Sequence, residues 1–237
     1  MGIFSAETLA RLKRLREGGI TRARVSRLLT LPFWAIHDRL GDLIFERALD
    51  SRTAREEYAN DPDRAEAGHL PYGATDWLDL VRAMWAVRPG PDDVFVDFGS
   101  GKGRVLSRAA TYQLRRVVGV ELSEPLNEIA RANLAVLRPL LKTSEIELVT
   151  ADAAAWEVPD DMTIGYFANP FLGDVFRAVI DNIVRSIDRN PRRVRLVYVN
   201  PVEEAKILAT GRFRVTRRLR RLRKQTDSPY VAFYESV

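Results

Sequence analysis

Downstream of Asp76 the apolar positions fall into short runs separated by longer amphipathic stretches. Val94–Phe98, residues 117–122, residues 146–149, Ile164–Phe167 and residues 194–199 each predict a buried strand. Between these runs, Glu124–Leu137 and residues 174–187 carry their apolar residues at helical spacing. Alternating strands and helices imply right-handed crossovers and a parallel sheet covered on both faces. The pattern changes near the end, where residues 213–221 and 231–234 flank Asp227-Ser228-Pro229. That turn signal predicts an antiparallel hairpin closing one side of the sheet.

Upstream of Asp76 the first stretches of the chain read as helical. Leu9, Leu12 and Leu15 recur at three-residue spacing among Arg11, Lys13, Arg14 and Arg16, and the pattern stops at Gly18-Gly19. A second helix is expected from Thr21, interrupted by Leu31-Pro32 ahead of Phe33, Trp34 and Ile36, and Asn60-Asp61-Pro62-Asp63 marks a loop. Arg22, Arg24, Arg27 and Asp38 prevent an apolar run of about 18 residues, so nothing here is expected to span a bilayer. The favoured reading is a helical lid over the main domain, ahead of a peripheral membrane-surface or partner-docking helix. The expected organisation is a helical extension over residues 1–75 and a catalytic-type α/β domain over residues 76–237.

Composition narrows the chemistry. The 237 residues are 46% hydrophobic and 29% charged, as in an ordinary globular chain. With no cysteine there is no disulfide, thiol nucleophile or cysteine-ligated zinc, and two histidines, His37 and His69, are too few for a histidine-rich metal site. Neither histidine lies near a G-x-S-x-G elbow, which leaves a Ser/His triad unsupported. The N-terminus shows no secretory apolar core, so a cytoplasmic setting is expected. The net charge of +5 is uneven: residues 1–30 hold 7 Lys and Arg against 2 Asp and Glu, residues 191–237 hold 12 against 4, and residues 31–190 hold 18 against 26. Basic ends around an acidic centre suit an anionic or acidic partner at one surface.

The strongest chemical signal is Asp97-Phe98-Gly99-Ser100-Gly101-Lys102-Gly103-Arg104, where an apolar strand runs into a glycine-rich turn and a helix. Ligands of doubly wound sheets bind at such strand ends. A phosphate-binding G-x-x-x-x-G-K-[ST] loop fails, because Val96 stands at its first glycine and Gly103 follows Lys102. A dinucleotide G-x-G-x-x-G loop fails too, because the glycines fall at 99, 101 and 103. The D-x-G-x-G-x-G pattern resembles the cofactor loop of class I S-adenosylmethionine-dependent methyltransferases.

That resemblance implies a Rossmann-like seven-stranded α/β sheet and assigns roles. Glu121, with Leu122 beside it, closes the second strand 24 residues after Asp97, where an acidic residue accepts hydrogen bonds from ribose hydroxyls. Asp152 and Ala153 follow the third strand, where an acidic residue recognises the adenine amine, and Trp156 is a candidate contact to the same ring. Gly99, Ser100, Gly101 and Gly103 would let backbone approach the homocysteine portion, with Asp97 at its amino-acid end. Lys102 and Arg104 are expected to be surface charges at the helix start. Trp34, Trp77 and Trp85 are expected in core or lid packing, and His37 and His69 in structural roles.

Residues 70–81, Leu-Pro-Tyr-Gly-Ala-Thr-Asp-Trp-Leu-Asp-Leu-Val, resemble the Y-G-E-T-x-x-D-L-V segment of the non-SET, disruptor-of-telomeric-silencing-like lysine methyltransferases, and the similarity extends over residues 70–171. It implies that Tyr72 and Thr75 line the cofactor within a covering loop. Ala74 replaces the family's glutamate, one residue is inserted before Leu80-Val81, and Phe167-Ala168-Asn169-Pro170-Phe171 stands in place of its N-N-F motif. Amino-methyltransferases acting on adenine and cytosine carry a similar [DNS]-P-P-[YFW], whereas this chain has a single proline there.

Asn169, also expected among the cofactor contacts, is with Phe171 and Tyr72 the candidate acceptor site, since methyl transfer chiefly requires an amine lone pair held in line with the methyl group. The alternative for Asn169 is a cap on the following helix. Arg212, Arg214, Arg217, Arg218, Arg220, Arg221, Arg223 and Lys224 form a run without an acid. It is either a contact for nucleic-acid phosphates or an acidic protein, or protection for a sheet edge. The favoured function is metal-free methyl transfer to a protein amine, lysine, with a nucleic-acid base or small molecule as alternatives and a non-catalytic binding module as the reading from another class.

Overall fold

The computed structural model describes residues 75–221 and 230–237. The elements run α1 (Trp77–Val87), β1 (Val94–Phe98), α2 (Arg104–Ala109), β2 (Arg116–Glu121), α3 (Glu124–Leu137), β3 (Ile146–Thr150), β4 (Ile164–Phe167), α4 (Gly173–Arg189), β5 (Arg195–Val199), α5 (Glu204–Ala209), β6 (Phe213–Arg220) and β7 (Tyr230–Ser236). They form one seven-stranded sheet in the order β3-β2-β1-β4-β5-β7-β6. Strands β1 to β5 pair in parallel and β7 enters antiparallel between β5 and β6. This is the predicted α/β sheet with its closing hairpin. The expected N-terminal helices, the loop at 60–63, Trp34, His37, His69, Tyr72, Arg223, Lys224 and the turn at 227–229 lie outside the described residues.

Side-chain alternation divides the core into two layers. Val96, Phe98, Phe167, Leu196 and Tyr198 face Phe176, Val179, Ile180, Ile183 and Ile187 of α4 and Ile207 of α5. Phe95, Val117, Ile164, Tyr166, Val197 and Phe233 face Trp77, Leu80 and Met84 of α1 and Val105, Leu106 and Ala109 of α2. Helix α1 starts on Asp76, whose carboxylate accepts from the Leu78 and Asp79 amides at 3.1 and 3.4 Å. It ends where Arg88 turns left-handed, with φ of 51°.

Three expectations are corrected. Strand β3 is not buried: it is a sheet edge paired only with β2, and its five residues are half-buried or exposed. Trp85 is 69% exposed, because it lies about 100° round α1 from Met84 and points off the packed face. Lys102 is wholly buried. The turn that contains it is drawn against α3, where a Cβ on Gly103 would lie 3.0 Å from that of Ala130, and the Lys102 carbonyl accepts from Asn133 Nδ2 at 2.9 Å. Arg104 is half-buried, with its guanidinium 5.9 Å from the Trp77 ring centroid.

Strand β6 carries a register shift between Val215 and Arg217. Phe213 and Val215 therefore face α4 and α5, while Leu219 packs on the α1 side. The shift aims its arginines at acids in both helical layers. Arg218 reaches Glu204 of α5 at 2.7 Å, and the same carboxylate accepts from the Tyr234 hydroxyl at 2.7 Å. Arg221, just past the strand, donates to Asp79 of α1 at 2.8 Å, with Asp79 only 1% exposed. Arg212 pairs with Asp188, and Arg214 with Glu235 at 3.3 Å.

The Arg221–Asp79 pair is the most buried of these. Replacing Arg221 by Met leaves a buried carboxylate without this guanidinium, and the expected loss in unfolding free energy is about 3 kcal/mol. Urea denaturation checks it: a midpoint unchanged from the parent chain would show that the pair holds nothing together.

Candidate functional site

The carboxyl ends of β1, β2 and β4 converge on the turn that follows β1. Gly99 and Ser100 both donate to the Val120 carbonyl, at 2.8 and 3.1 Å, so the turn is strapped across the end of β2. Gly99, Gly101 and Gly103 all have left-handed φ, of 79°, 51° and 77°. At Gly99 the requirement is steric as well, since a Cβ there would lie 2.3 Å from Pro170 Cβ. Sequence reasoning assigned that glycine to backbone approach toward a ligand; its nearest neighbour in the fold is the turn after β4.

Two acids stand at this crossing. Asp97 is 1% exposed and its Oδ2 has no hydrogen-bond partner. Burial pushes its carboxyl well above the usual carboxylate range, and the neighbouring Glu121 charge pushes in the same direction. Glu121 Oε2 accepts from the Gly101 amide at 3.0 Å and Oε1 from the Ser123 amide at 2.9 Å. Glu121 thus holds the glycine turn in place. Ser100 is buried with its Oγ unpartnered, close to where a side chain on Gly119 would stand. Leu122, next after Glu121, is 39% exposed, a large apolar side chain left beside the acids.

Other predicted residues fall nearby or into the core. Thr75 is buried at the start of the described chain. Asp152 is exposed, and its Oδ1 accepts from the Ala154 amide at 2.9 Å. Ala153 and Trp156 pack into the core, with Trp156 edge-on to Phe98 at 6.1 Å. Phe171 is 2% exposed and sits edge-on to Phe167 within an aromatic group that includes Phe176 and Tyr198.

Asn169 is half-buried and left-handed, with φ of 57°. It does not cap α4: Glu203 Oε1 accepts from the Gly173 amide at 2.8 Å, and Leu172 at the helix start offers no side-chain cap. Instead, Asn169 Oδ1 accepts from the Tyr198 hydroxyl at 3.3 Å. The neighbouring strand repeats the arrangement. Asn200 is also left-handed, at 58°, precedes Pro201, and lies 31 positions after Asn169, the same offset that pairs Phe167 with Tyr198. Tyr198, Asn200 and Glu203 were not singled out from the sequence. The signal was available in the repeated aromatic-x-Asn-Pro of residues 167–170 and 198–201.

A strand-end acid with an unsatisfied buried oxygen, a second acid beside an exposed leucine, and a turn with glycine at positions 99, 101 and 103 fit the ammonium, ribose and close-packed methionine portion of S-adenosylmethionine. Among the described residues, no cluster of three metal-ligating side chains occurs and no helix is long and apolar enough to cross a membrane.

Comparison with known proteins agrees. The family described as "Methyltransferase domain" matches residues 95–190. A Caenorhabditis elegans histone-lysine N-methyltransferase, H3 lysine-79 specific, is 38% identical over 61 residues, which are 25% of this chain and 6% of that relative. Among solved structures, a putative RNA methyltransferase from Pyrococcus horikoshii superposes with a TM-score of 0.53 at 15% identity, covering 80% of this chain and 94% of its own. A TehB-like S-adenosylmethionine-dependent methyltransferase from Corynebacterium glutamicum gives 0.51 at 16% identity, covering 74% and 93%. Both share the fold. The chain thus carries a methyltransferase domain match over residues 95–190, and its sheet order and glycine turn are those of the class I S-adenosylmethionine-dependent methyltransferase fold.

Proposed function

We propose that the chain methylates a protein amine, with lysine as the acceptor, at a site bounded by the Asn169-Pro170 turn. The observation that carries this reading is the contact of that turn with the glycine loop. Pro170 sits where a Gly99 side chain would be, so a group beside Asn169 is also beside the methionine end of the cofactor. When bound, S-adenosylmethionine supplies an electrophilic methyl group on a sulfonium. Asp97 and the turn amides hold its amino-acid end, Glu121 accepts from its ribose hydroxyls, and Leu122, Asp152, Ala153 and the residues up to Trp156 bound its adenine. Ser100 backs the loop from the side of Gly119. Thr75, buried at the start of the described chain, lines the cofactor. Asn169 Oδ1 retains a lone pair for an acceptor N–H, which orients the nitrogen for in-line displacement.

Lysine is favoured over a nucleic-acid base for two reasons. The 61-residue likeness is to an enzyme named for a histone lysine. Within the basic run, Arg212, Arg214, Arg218 and Arg221 are engaged with Asp188, Glu235, Glu204 and Asp79. Of the six run residues that the structure describes, Arg217 and Arg220 are left to meet a polyanion. The strip is better accounted for as fastening than as a phosphate track.

Three outcomes test the reading. Glu121→Ala is expected to weaken S-adenosylmethionine binding at least about tenfold in calorimetry, the cost of one or two charge-assisted hydrogen bonds; unchanged affinity would remove the ribose assignment. Asn169→Ala is expected to keep cofactor affinity and lose transfer of a labelled methyl group to histone H3, and full turnover would discard Asn169 as the acceptor-facing group. Asp97→Asn tests the buried carboxyl through pH. Because the folded-state pKa of Asp97 is raised, its contribution to stability is complete below the unfolded-state pKa and is lost as pH rises toward the folded value. The cofactor-free Asn variant is therefore expected to gain stability relative to the parent from about pH 4 upward, while binding cofactor more weakly. A pH-independent difference in denaturation midpoint would contradict the assignment.

A further inference from the structure

The Asn169 carboxamide is held from behind by one side chain. Tyr198 lies in the middle of the aromatic layer, wholly buried, stacked on Phe176 at 5.1 Å between centroids and 5.9 Å from Phe167. Its hydroxyl emerges from that layer at the ends of β4 and β5 and donates to Asn169 Oδ1. Burial raises the hydroxyl's pKa above its ordinary value and keeps it protonated, so the tyrosine is the donor and the carboxamide oxygen the acceptor.

A carboxamide has two faces of opposite polarity, and a free asparagine at a strand end samples both. Here the strained left-handed backbone of Asn169 fixes where the side chain begins, and the Tyr198 proton selects which end is oxygen. We propose that Tyr198 is a positioning residue for methyl transfer, locking Asn169 with its oxygen engaged and its remaining lone pair directed to the acceptor nitrogen. This rests on the reading of Asn169 as the acceptor-facing group. Tyr198 does not touch the reacting atoms; it acts through Asn169.

Tyr198→Phe removes the hydroxyl and retains the ring that packs on Phe176, so the variant tests the proton and not the core. With labelled S-adenosylmethionine and histone H3 as the lysine probe, the expected result is a fall in kcat of about tenfold with cofactor affinity unchanged. In the Asn169→Ala background, the same change is expected to cost nothing more. Losses that multiply across the two variants, or full turnover by Tyr198→Phe, would overturn the proposal. Full turnover by Asn169→Ala would instead bring down the acceptor reading beneath it. A measurement that needs no acceptor runs in parallel. Proton NMR of the whole protein is expected to show a slowly exchanging Tyr198 hydroxyl resonance that is absent in Tyr198→Phe and displaced in Asn169→Ala. If no protected hydroxyl is present, or Asn169→Ala leaves it unmoved, Tyr198 does not hold Asn169. If histone H3 is not a substrate, this comparison alone decides.

Discussion

The site depends on how closely two pieces of backbone approach each other at the ends of β1 and β4. Gly99 and Pro170 are near enough that one added carbon at position 99 would overlap the proline ring. Neither segment could hold that approach unaided. The glycine turn is pinned from below by the Val120 carbonyl and from the side by the Glu121 carboxylate. The proline turn is held by a left-handed asparagine whose side chain is anchored to the aromatic layer. The glycine turn and the proline turn are thus a single mechanical unit. A displacement in either is passed to the other through hard contact, which is less forgiving than a hydrogen bond.

The electrostatics follow from the same crowding. Bringing β1 and β2 to one end places Asp97 and Glu121 together, and the fold treats them differently. Glu121 is satisfied by two backbone amides, whereas Asp97 is buried with an oxygen unmet. A buried carboxyl with an unmet oxygen carries an energetic penalty, which the fold tolerates at this one residue.

Much of this was legible before the structure. Val94–Phe98 and Ile164–Phe167 announce themselves as strands because both faces of their sheet are buried and the apolar run is nearly continuous, broken in the first only by Asp97. Glu124–Leu137 shows the helical period clearly because α3 keeps one wet face. What pattern could not show was depth and direction. Ile146–Thr150 is as apolar as an interior strand, yet strand order puts it at an edge. Lys102 reads as a surface charge because it is a lysine, and only the drawing of the glycine turn onto α3 buries it. Asp97, Glu121 and Asn169 were singled out as candidates by residue type, spacing and resemblance. Tyr198 and Glu203 were not, because their contacts with Asn169 and Gly173 exist only across segments that are remote in sequence.

The register shift in β6 changes what the basic run means. Read as an unbroken alternation, its arginines would line one flank like a row of positive monopoles. The extra residue turns the second half of the strand over, and arginines from both halves meet carboxylates on opposite sides of the sheet. A distant anion meets paired charges, whose fields cancel over a few ångströms and fade faster with distance than those of isolated ions. One inserted residue has converted a long-range attractor into a set of short-range rivets, so a high isoelectric point tells less about partners than about how the last two strands are bolted on.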